Sequence, residues 1–241
     1  MKLAILGTGV VGRTLAAGWS GSGHQVVMGT RDPQATSVRP VGEAPAAPTI
    51  GEVLEAQGIA LLPLAAAAAA ADVVVNATSG AASLSALRAA GPAALDGKVV
   101  LDVANPLEFS AGFPPTLSVC NDDSLAEQIA RELPGSSVVK SLNTVNAGVM
   151  VSPPPGATMF VSGDDPAAKA VVVDLLRDLG WASIVDLGAL SGARGQEMYL
   201  ALWVRTMAAL GTPAFTMAIA MPDGTAAVTP AGPASDPTTR D

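Results

Sequence analysis

The chain has 241 residues, a formal net charge of −8, and 49% hydrophobic but only 3% aromatic residues. That length suits one large domain, and its core has to be built from Ala, Val, Leu and Ile, the composition of interior parallel strands flanked by helices. The acidic balance argues against a nucleic-acid or anionic-membrane partner, each of which needs a basic face, and one cysteine (Cys120) with one histidine (His24) can assemble neither an internal disulfide nor a zinc site, so a reducing cytoplasm is the expected compartment.

Lys2 to Leu6 reads as a buried strand, and Val11, Leu15 and Trp19 follow at helical spacing. The apolar start stops at Gly7, so no secretory leader is expected. Ser20 to Gly23 is a turn and Gln25 to Met28 a second strand. Arg39 to Pro48 reads as a loop, Ile59 to Leu62 as a third strand, and the alanine run Ala65 to Ala71 as a crossover helix. The uncharged stretch Ile59 to Ala71 is too short to span a bilayer and contains Pro63. Asp72 to Val75 is a strand, Ser83 to Ala90 a helix, and Lys98 to Val103 a strand that ends near Asn105-Pro106.

Ser124-Leu125-Ala126-Glu127 fits a capping box that opens a helix, and Val138 to Leu142 is a sixth strand. After a break at Pro153 to Gly156, Thr158 to Val161 and Ser183 to Val185 read as further strands. The helix between them starts at Asp165-Pro166 and stops at Gly180. Leu190 to Leu210 is a long helix, and the Pro, Thr, Ala, Gly and Asp residues after Pro222 read as a disordered tail. Alternating strands and helices predict an α/β, Rossmann-like doubly wound, mostly parallel sheet. The expected layout is a nucleotide-binding domain over 1–188, a C-terminal helical extension over 189–221, and the tail over 222–241.

The stretch "LAILGTGVVGRTLA" places Gly7, Gly9 and Gly12 in GxGxxG spacing, with Thr8, Val10 and Val11 between them. The spacing alone also arises in plain strand–turn–helix units. Here a strand precedes it and an amphipathic helix follows, which gives each glycine a task. Gly7 allows the tight turn, Gly9 lets the backbone approach a pyrophosphate, and Gly12 lets helix and strand pack closely, while the helix N-terminus offers N–H groups to the anion.

The end of the second strand discriminates the dinucleotide. A ribose-reading acid belongs at its tip in NAD binders, but Met28-Gly29-Thr30-Arg31 has none there. Asp32 precedes Pro33, and an Asp-Pro pair is accounted for as the cap and first turn of a short helix. Arg31 can make charge-assisted bonds to a 2′-phosphate, with Thr30 adding a hydroxyl; its bland alternative is a solvated surface charge. NADP(H) is therefore the expected cofactor.

These residues, with "GHQVVMGTRDP", "DVVVNATSG", "LDVANPLEF", "VVKSLNTVNAGVM", "FVSGDD" and "ARGQEM", resemble the NADP oxidoreductase family that contains the coenzyme F-420 (F420)-dependent NADP reductases, from Met1 to about Phe215. The resemblance implies that Thr30 and Arg31 grip the 2′-phosphate, that Asn76, Ala77, Thr78 and Ser79 line the cofactor, and that Asn105-Pro106 approaches the nicotinamide. It also implies that Leu142 to Ala147 lies where the second redox partner docks, so Asn143 and Thr144 are the residues expected to touch substrate, with ordinary strand-end hydrogen bonding as their alternative. Archaeal deazaflavin-reducing members carry a histidine where this chain has Asn143. The family is related to the reductase domains of metal-reducing membrane proteins and to pyrroline-carboxylate reductase, which also deliver hydride from NADPH.

The expected activity is hydride transfer between NADPH and a small redox acceptor, with coenzyme F-420 favoured over a flavin, a ferric chelate or an imine. The protein would mainly set distance and orientation. An NADPH-binding sensor without turnover is the alternative from another class. No metal is expected: Asp164-Asp165 reads as a helix cap, Asn121-Asp122-Asp123 precedes the capping box, and His24 and Cys120 read as structural and unactivated. Arg194, Glu197 and Arg205 lie on the long C-terminal helix; Arg194 is a candidate contact for an anionic substrate tail, with a solvated or interface charge as its alternative, and the apolar spread of that helix suggests a homodimer.

Overall fold

A computed structural model describes residues 1–44, 46–223 and 225 of the chain. Apart from residues 222, 223 and 225, the expected disordered tail lies outside the described residues. The elements in chain order begin with β1 (Lys2–Leu6), α1 (Val10–Gly21), β2 (Gln25–Thr30), α2 (Pro33–Ser37), α3 (Ile50–Ala56), β3 (Ala60–Pro63), α4 (Leu64–Ala69), β4 (Val73–Asn76), α5 (Gly80–Ala90) and α6 (Pro92–Leu95). They continue with β5 (Val99–Asp102), β6 (Leu107–Glu108), β7 (Thr116–Leu117), α7 (Leu125–Glu132), β8 (Ser137–Ser141), α8 (Ala147–Met150), β9 (Thr158–Gly163), α9 (Pro166–Asp178) and β10 (Ser183–Asp186). A 3-10 turn (Leu190–Gly192) then leads into α10 (Ala193–Leu210).

Eight strands form one sheet in the order β10-β9-β8-β5-β4-β1-β2-β3, and β6 pairs with β7 as a separate small hairpin. The first strand is central: Ile5 is level with Met28 of β2 on one side and Val75 of β4 on the other. The chain winds outward from it in both directions, which opens a crevice at the carboxyl ends of β1 and β4. Within the eight-stranded sheet all pairings are parallel except β8 with β9. Residues 142–157 leave β8 and enter β9 at the same end of the sheet, so no crossover returns the chain, and β9 runs back against β8.

Side-chain alternation in β1 sends Leu3 and Ile5 to one layer and Ala4 and Leu6 to the other. On the first face they join Leu15 and Trp19 of α1 and Leu175 of α9; on the second they join Ala67 of α4, Leu87 of α5 and Ile129 of α7. The fully buried indoles of Trp19 and Trp181 are satisfied across elements, Trp19 Nε1 donating to the Leu175 carbonyl and Trp181 Nε1 to the Met150 carbonyl, each at 2.9 Å. Among the described residues no helix is long and apolar enough to cross a membrane.

The structure adds elements that the sequence reading did not place: α3, α6, α8 and the β6–β7 hairpin. The full capping box belongs to α3, where Thr49 and Glu52 bond reciprocally. At α7 only half of the expected box forms: Ser124 Oγ accepts from the Glu127 N–H, but the Glu127 carboxylate is drawn to Ser124 Oγ and Arg194 instead of the Ser124 N–H. The expected long helix begins at Ala193, after the 3-10 turn. The C-terminal extension is bound into the sheet domain, since Gln196 and Glu197 of α10 are buried.

Candidate active site

The glycine loop has the geometry its spacing predicts. Gly7 has φ +115, and a Cβ there would stand 2.5 Å from the Ala77 carbonyl oxygen. A Cβ at Gly12 would overlap the Gly7 carbonyl. Gly9 differs: nothing lies within 4 Å of the position its Cβ would take, so this glycine leaves open space for a ligand. Gly9 is the N-cap of α1, and its carbonyl accepts the first helical bond from Arg13 N at 3.1 Å. The N–H groups of Val10, Val11 and Gly12 precede that bond, have no intrahelical acceptor and are available to an anion. Val10 is exposed, while Val11 packs its side chain on the core.

Beside this loop a cleft of about 620 Å³ opens over the ends of β1, β2 and β4, within the size range of cofactor sites. Its wall includes Thr8, Thr30, Arg31, Arg39, Ala77 and Thr78. Asp32 caps α2 by accepting from Ala35 N at 2.9 Å, and Thr30 Oγ1 is 2.9 Å from Thr36 Oγ1. The guanidinium of Arg31 is exposed and makes no hydrogen bond or ion pair among the described residues. At Gly29 a Cβ would stand 2.6 Å from Leu6 Cδ2 of β1 and 3.1 Å from Ala67 Cβ of α4, so a side chain there is crowded out.

Arg39, which sequence reading left in a loop, lines the same cleft and donates to Thr8 Oγ1 at 2.7 Å. Arg13 donates to the Thr8 carbonyl from the other side. Burial, then the charge of Arg39, lowers the Arg13 guanidinium from its ordinary range. None of Arg13, Arg31 and Arg39 pairs with a carboxylate among the described residues, although the chain carries a net −8. Arg39 is positioned by the Pro40–Thr49 bridge and the start of α3. The Thr49-x-x-Glu52 capping box was the signal that could have located it.

On the other side of β1 the expected cofactor residues divide. Asn76 is fully buried and its side chain turns inward, donating to Ser83 Oγ at 2.9 Å and Asp102 Oδ1 at 2.8 Å, and accepting from Thr78 Oγ1 at 2.7 Å. Ala77 and Thr78 face the cleft. Asn105 Nδ2 donates to the Asn143 carbonyl, and Asn143 Nδ2 donates to Asn105 Oδ1 and the Gln196 carbonyl, all at 2.9 Å. A Cβ at Gly80 would overlap the Asn105 carbonyl, so the start of α5 also presses on this segment.

Asn143 and Thr144, expected to touch substrate, are 2% and 4% exposed. Both Asn143 N–H groups are spent within the protein, as in strand-end bonding, while its Oδ1 is buried with no hydrogen-bond partner among the described residues. Leu142 before it has φ 62, left-handed backbone that a leucine rarely adopts, so the turn is held by its surroundings. Ala147 is buried at the first position of α8.

Sequence reading missed the ion cluster beneath these residues. Lys140 of β8, fully buried, donates to Asp102 Oδ2 at 2.8 Å, to the Ala104 carbonyl, and to Glu197 Oε1 at 2.9 Å. Burial works against the Lys140 ammonium, but Asp102 and Glu197 outweigh it and hold its pKa above the ordinary value. Burial pushes the Glu197 carboxyl up, against Lys140 and the N–H groups of Leu125 and Ala126, which donate to it at 2.8 and 3.2 Å.

Comparison with known proteins decides the family. Residues 2–106 match the family described as NADP oxidoreductase coenzyme F420-dependent. The structure superimposes with TM-score 0.86 on a candidate F420-dependent NADP reductase from Arthrobacter sp. FB24, 49% identical over 92% of this chain and all of that one. The chain belongs to the F420-dependent NADP oxidoreductase family. Two curated relatives are more distant: the Metalloreductase STEAP3 of Rattus norvegicus, 30% identical over 217 residues, and the F420-dependent NADP reductase of Methanocaldococcus jannaschii, 33% identical over 103 residues. The matches take in 87% and 42% of this chain, but only 39% and 46% of those relatives' own length.

In this family member most of the remaining chemistry-bearing residues have structural partners. Asp165 caps α9 through Ala167 N and Ala168 N, and Asp164 accepts from Leu190 N. His24 sits at the opposite end of the sheet from the cleft, 3.0 Å from Asp178. Arg194, considered as an anion contact, is held by Glu127 through two bonds of 2.9 and 2.6 Å. Asp123 pairs with Arg131, and Cys120 is exposed.

Proposed function

We propose that the chain binds NADP(H) across the carboxyl ends of β2, β1, β4, β5 and β8 and serves hydride transfer to or from a small redox acceptor. The observation that carries this reading is the convergence of unpaired Arg31 and Arg39 on a cleft that opens directly from the glycine loop. An acidic protein that leaves these cations without carboxylates is built for a polyanion. The space at Gly9 and the free N–H groups of Val10 to Gly12 suit a pyrophosphate. Arg31 and Arg39 suit a 2′-phosphate, with Thr8 and Thr30 alongside.

The adenosine half would occupy the cleft, and the nicotinamide half would pass over Ala77 and Thr78 toward Asn105. The reduced nicotinamide, when bound, supplies the hydride. The protein's part is orientation: Asn105 and Asn143 fix the two strand ends against each other, and Gly80 lets α5 close on them. No side chain with a free proton is needed at the reacting atoms.

Coenzyme F420 is the favoured acceptor, supported by the family and by the archaeal relative. A ferric or flavin acceptor is the second reading. It is favoured by the match to the rat metalloreductase, which runs over 217 residues against 103 for the F420-dependent relative. Met198 and Leu202 stand exposed one turn apart on α10, which suits packing of two copies.

The test is an anaerobic assay of NADPH oxidation with coenzyme F420, FMN and a ferric chelate as separate acceptors, and with NADH in place of NADPH. Rapid, NADPH-specific reduction of F420 is the expected result. Binding of NADPH without turnover on any acceptor would move the reading to the sensor.

A further inference from the structure

The cluster formed by Lys140, Asp102 and Glu197 is closed. The three N–H bonds of the ammonium meet three acceptors: Asp102 Oδ2, Glu197 Oε1 and the Ala104 carbonyl. Asp102 Oδ1 takes Asn76 Nδ2 and Ala104 N, and the Glu197 carboxylate takes the first N–H groups of α7. With Asp102 and Lys140 at 0% and Glu197 at 1% exposure, none of them can meet a ligand.

A buried ion cluster contributes little net stability compared with apolar residues of the same volume, because desolvation offsets the attraction. Its distinctive effect is geometric. Ala104 is gripped through both of its backbone polar groups, its N–H by Asp102 and its carbonyl by Lys140, where the chain has left β5 and turns to Asn105. Asn105 in turn is paired with Asn143, whose amide is fixed by the Gln196 carbonyl. Gln196 and Glu197 are neighbours on α10, so one helix holds both strand ends: Glu197 through Lys140, and Gln196 through Asn143 and Ser162.

We propose that Lys140, Asp102 and Glu197 form a buried positioning triad that fixes the Ala104–Asn105 backbone, and with it the surface on which the nicotinamide half of the cofactor lies. This rests on the NADP(H) reading above. The triad holds the Ala104 backbone directly and reaches the cleft that takes the adenosine half only at second hand, through Asn76 and Thr78, so its larger effect falls on the nicotinamide half of the dinucleotide.

The test compares NADPH with 2′-phospho-ADP-ribose, which has the same phosphates but no nicotinamide, by titration calorimetry and nicotinamide fluorescence. The variant combines Lys140→Met, Asp102→Asn and Glu197→Gln, which keeps volume and leaves no buried charge unpaired. Its fragment affinity is expected within about twofold of wild type, while NADPH binds about tenfold more weakly, the scale of one or two lost hydrogen bonds. Its nicotinamide fluorescence then resembles free NADPH. If the triple variant does not fold, Asp102→Asn decides by the same readings, since it keeps Lys140 balanced by Glu197. Parallel weakening of both ligands, or wild-type NADPH affinity and fluorescence, overturns the proposal and leaves the NADP(H) reading standing. Wild-type protein that binds neither ligand sinks both.

Discussion

Asn105 and Asn143 hold each other across the ends of β5 and β8 by a reciprocal pair of 2.9 Å bonds, one from side chain to side chain and one from side chain to backbone. Asn143→Ala removes the donor to Asn105 Oδ1 and to the buried Gln196 carbonyl. Stranding these acceptors is expected to cost about 1–3 kcal/mol in urea unfolding, more than Asn105→Ala at its half-buried position. A loss no larger than that of a surface substitution would show that the pair is not held in solution.

The three loop glycines are expected to fail differently. Gly9→Ala meets nothing within 4 Å and has an ordinary φ of −69, so its melting temperature should match wild type while NADPH affinity falls. Gly12→Ala overlaps the Gly7 carbonyl, and Gly7→Ala also carries φ +115, so both should lower stability with or without ligand. Melting curves with and without NADPH separate the cases. A Gly9→Ala protein that binds NADPH normally would place the pyrophosphate elsewhere.

Arg31 and Arg39 test the 2′-phosphate site. Each change to Ala is expected to cost about 1.5–3 kcal/mol of NADPH binding, roughly ten- to a hundredfold in Kd, and to leave NADH binding within about twofold. Calorimetry with both nucleotides reads this directly. Equal losses for NADPH and NADH would assign the arginines to a phosphate shared by the two.

The acid limb of stability should depend on Asp123. The hydrogen bond from Arg131 holds its carboxyl at about 2, below the usual 3.8. A folded-state pKa lowered in this way contributes stability that is complete above the ordinary carboxylate range and is lost as pH falls from about 4 toward 2. The pair is partly exposed, so solvent screening limits the contribution to about 1 kcal/mol or less. Melting temperatures from pH 2 to 7 should show a shallower acid decline in Asp123→Asn. Identical slopes would remove the pair from the account.

Local chemistry alone makes much of this protein legible. Strand and helix alternation follows from apolar period, and the GxGxxG loop from the strand before it and the helix after it. The Asp165-Pro166 helix start is a pattern within a few neighbouring residues, and Arg31 stands at the end of a readable strand. These features depend on short-range sterics and hydrogen bonding, which a sequence carries in full.

Tertiary structure alone decided which distant residues meet. Arg39 reaches the cleft because a bridge between Pro40 and Thr49 folds its loop back toward Thr8. Lys140, Asp102 and Glu197 read singly as one basic and two acidic residues on separate elements, and only the adjacency of β5 and β8 under α10 joins them. The same packing turned Asn143 inward and paired β9 antiparallel to β8. Burial removes water as the partner of each polar group, so its role is set by whichever group the fold places within hydrogen-bond reach, and sequence separation does not specify that neighbour.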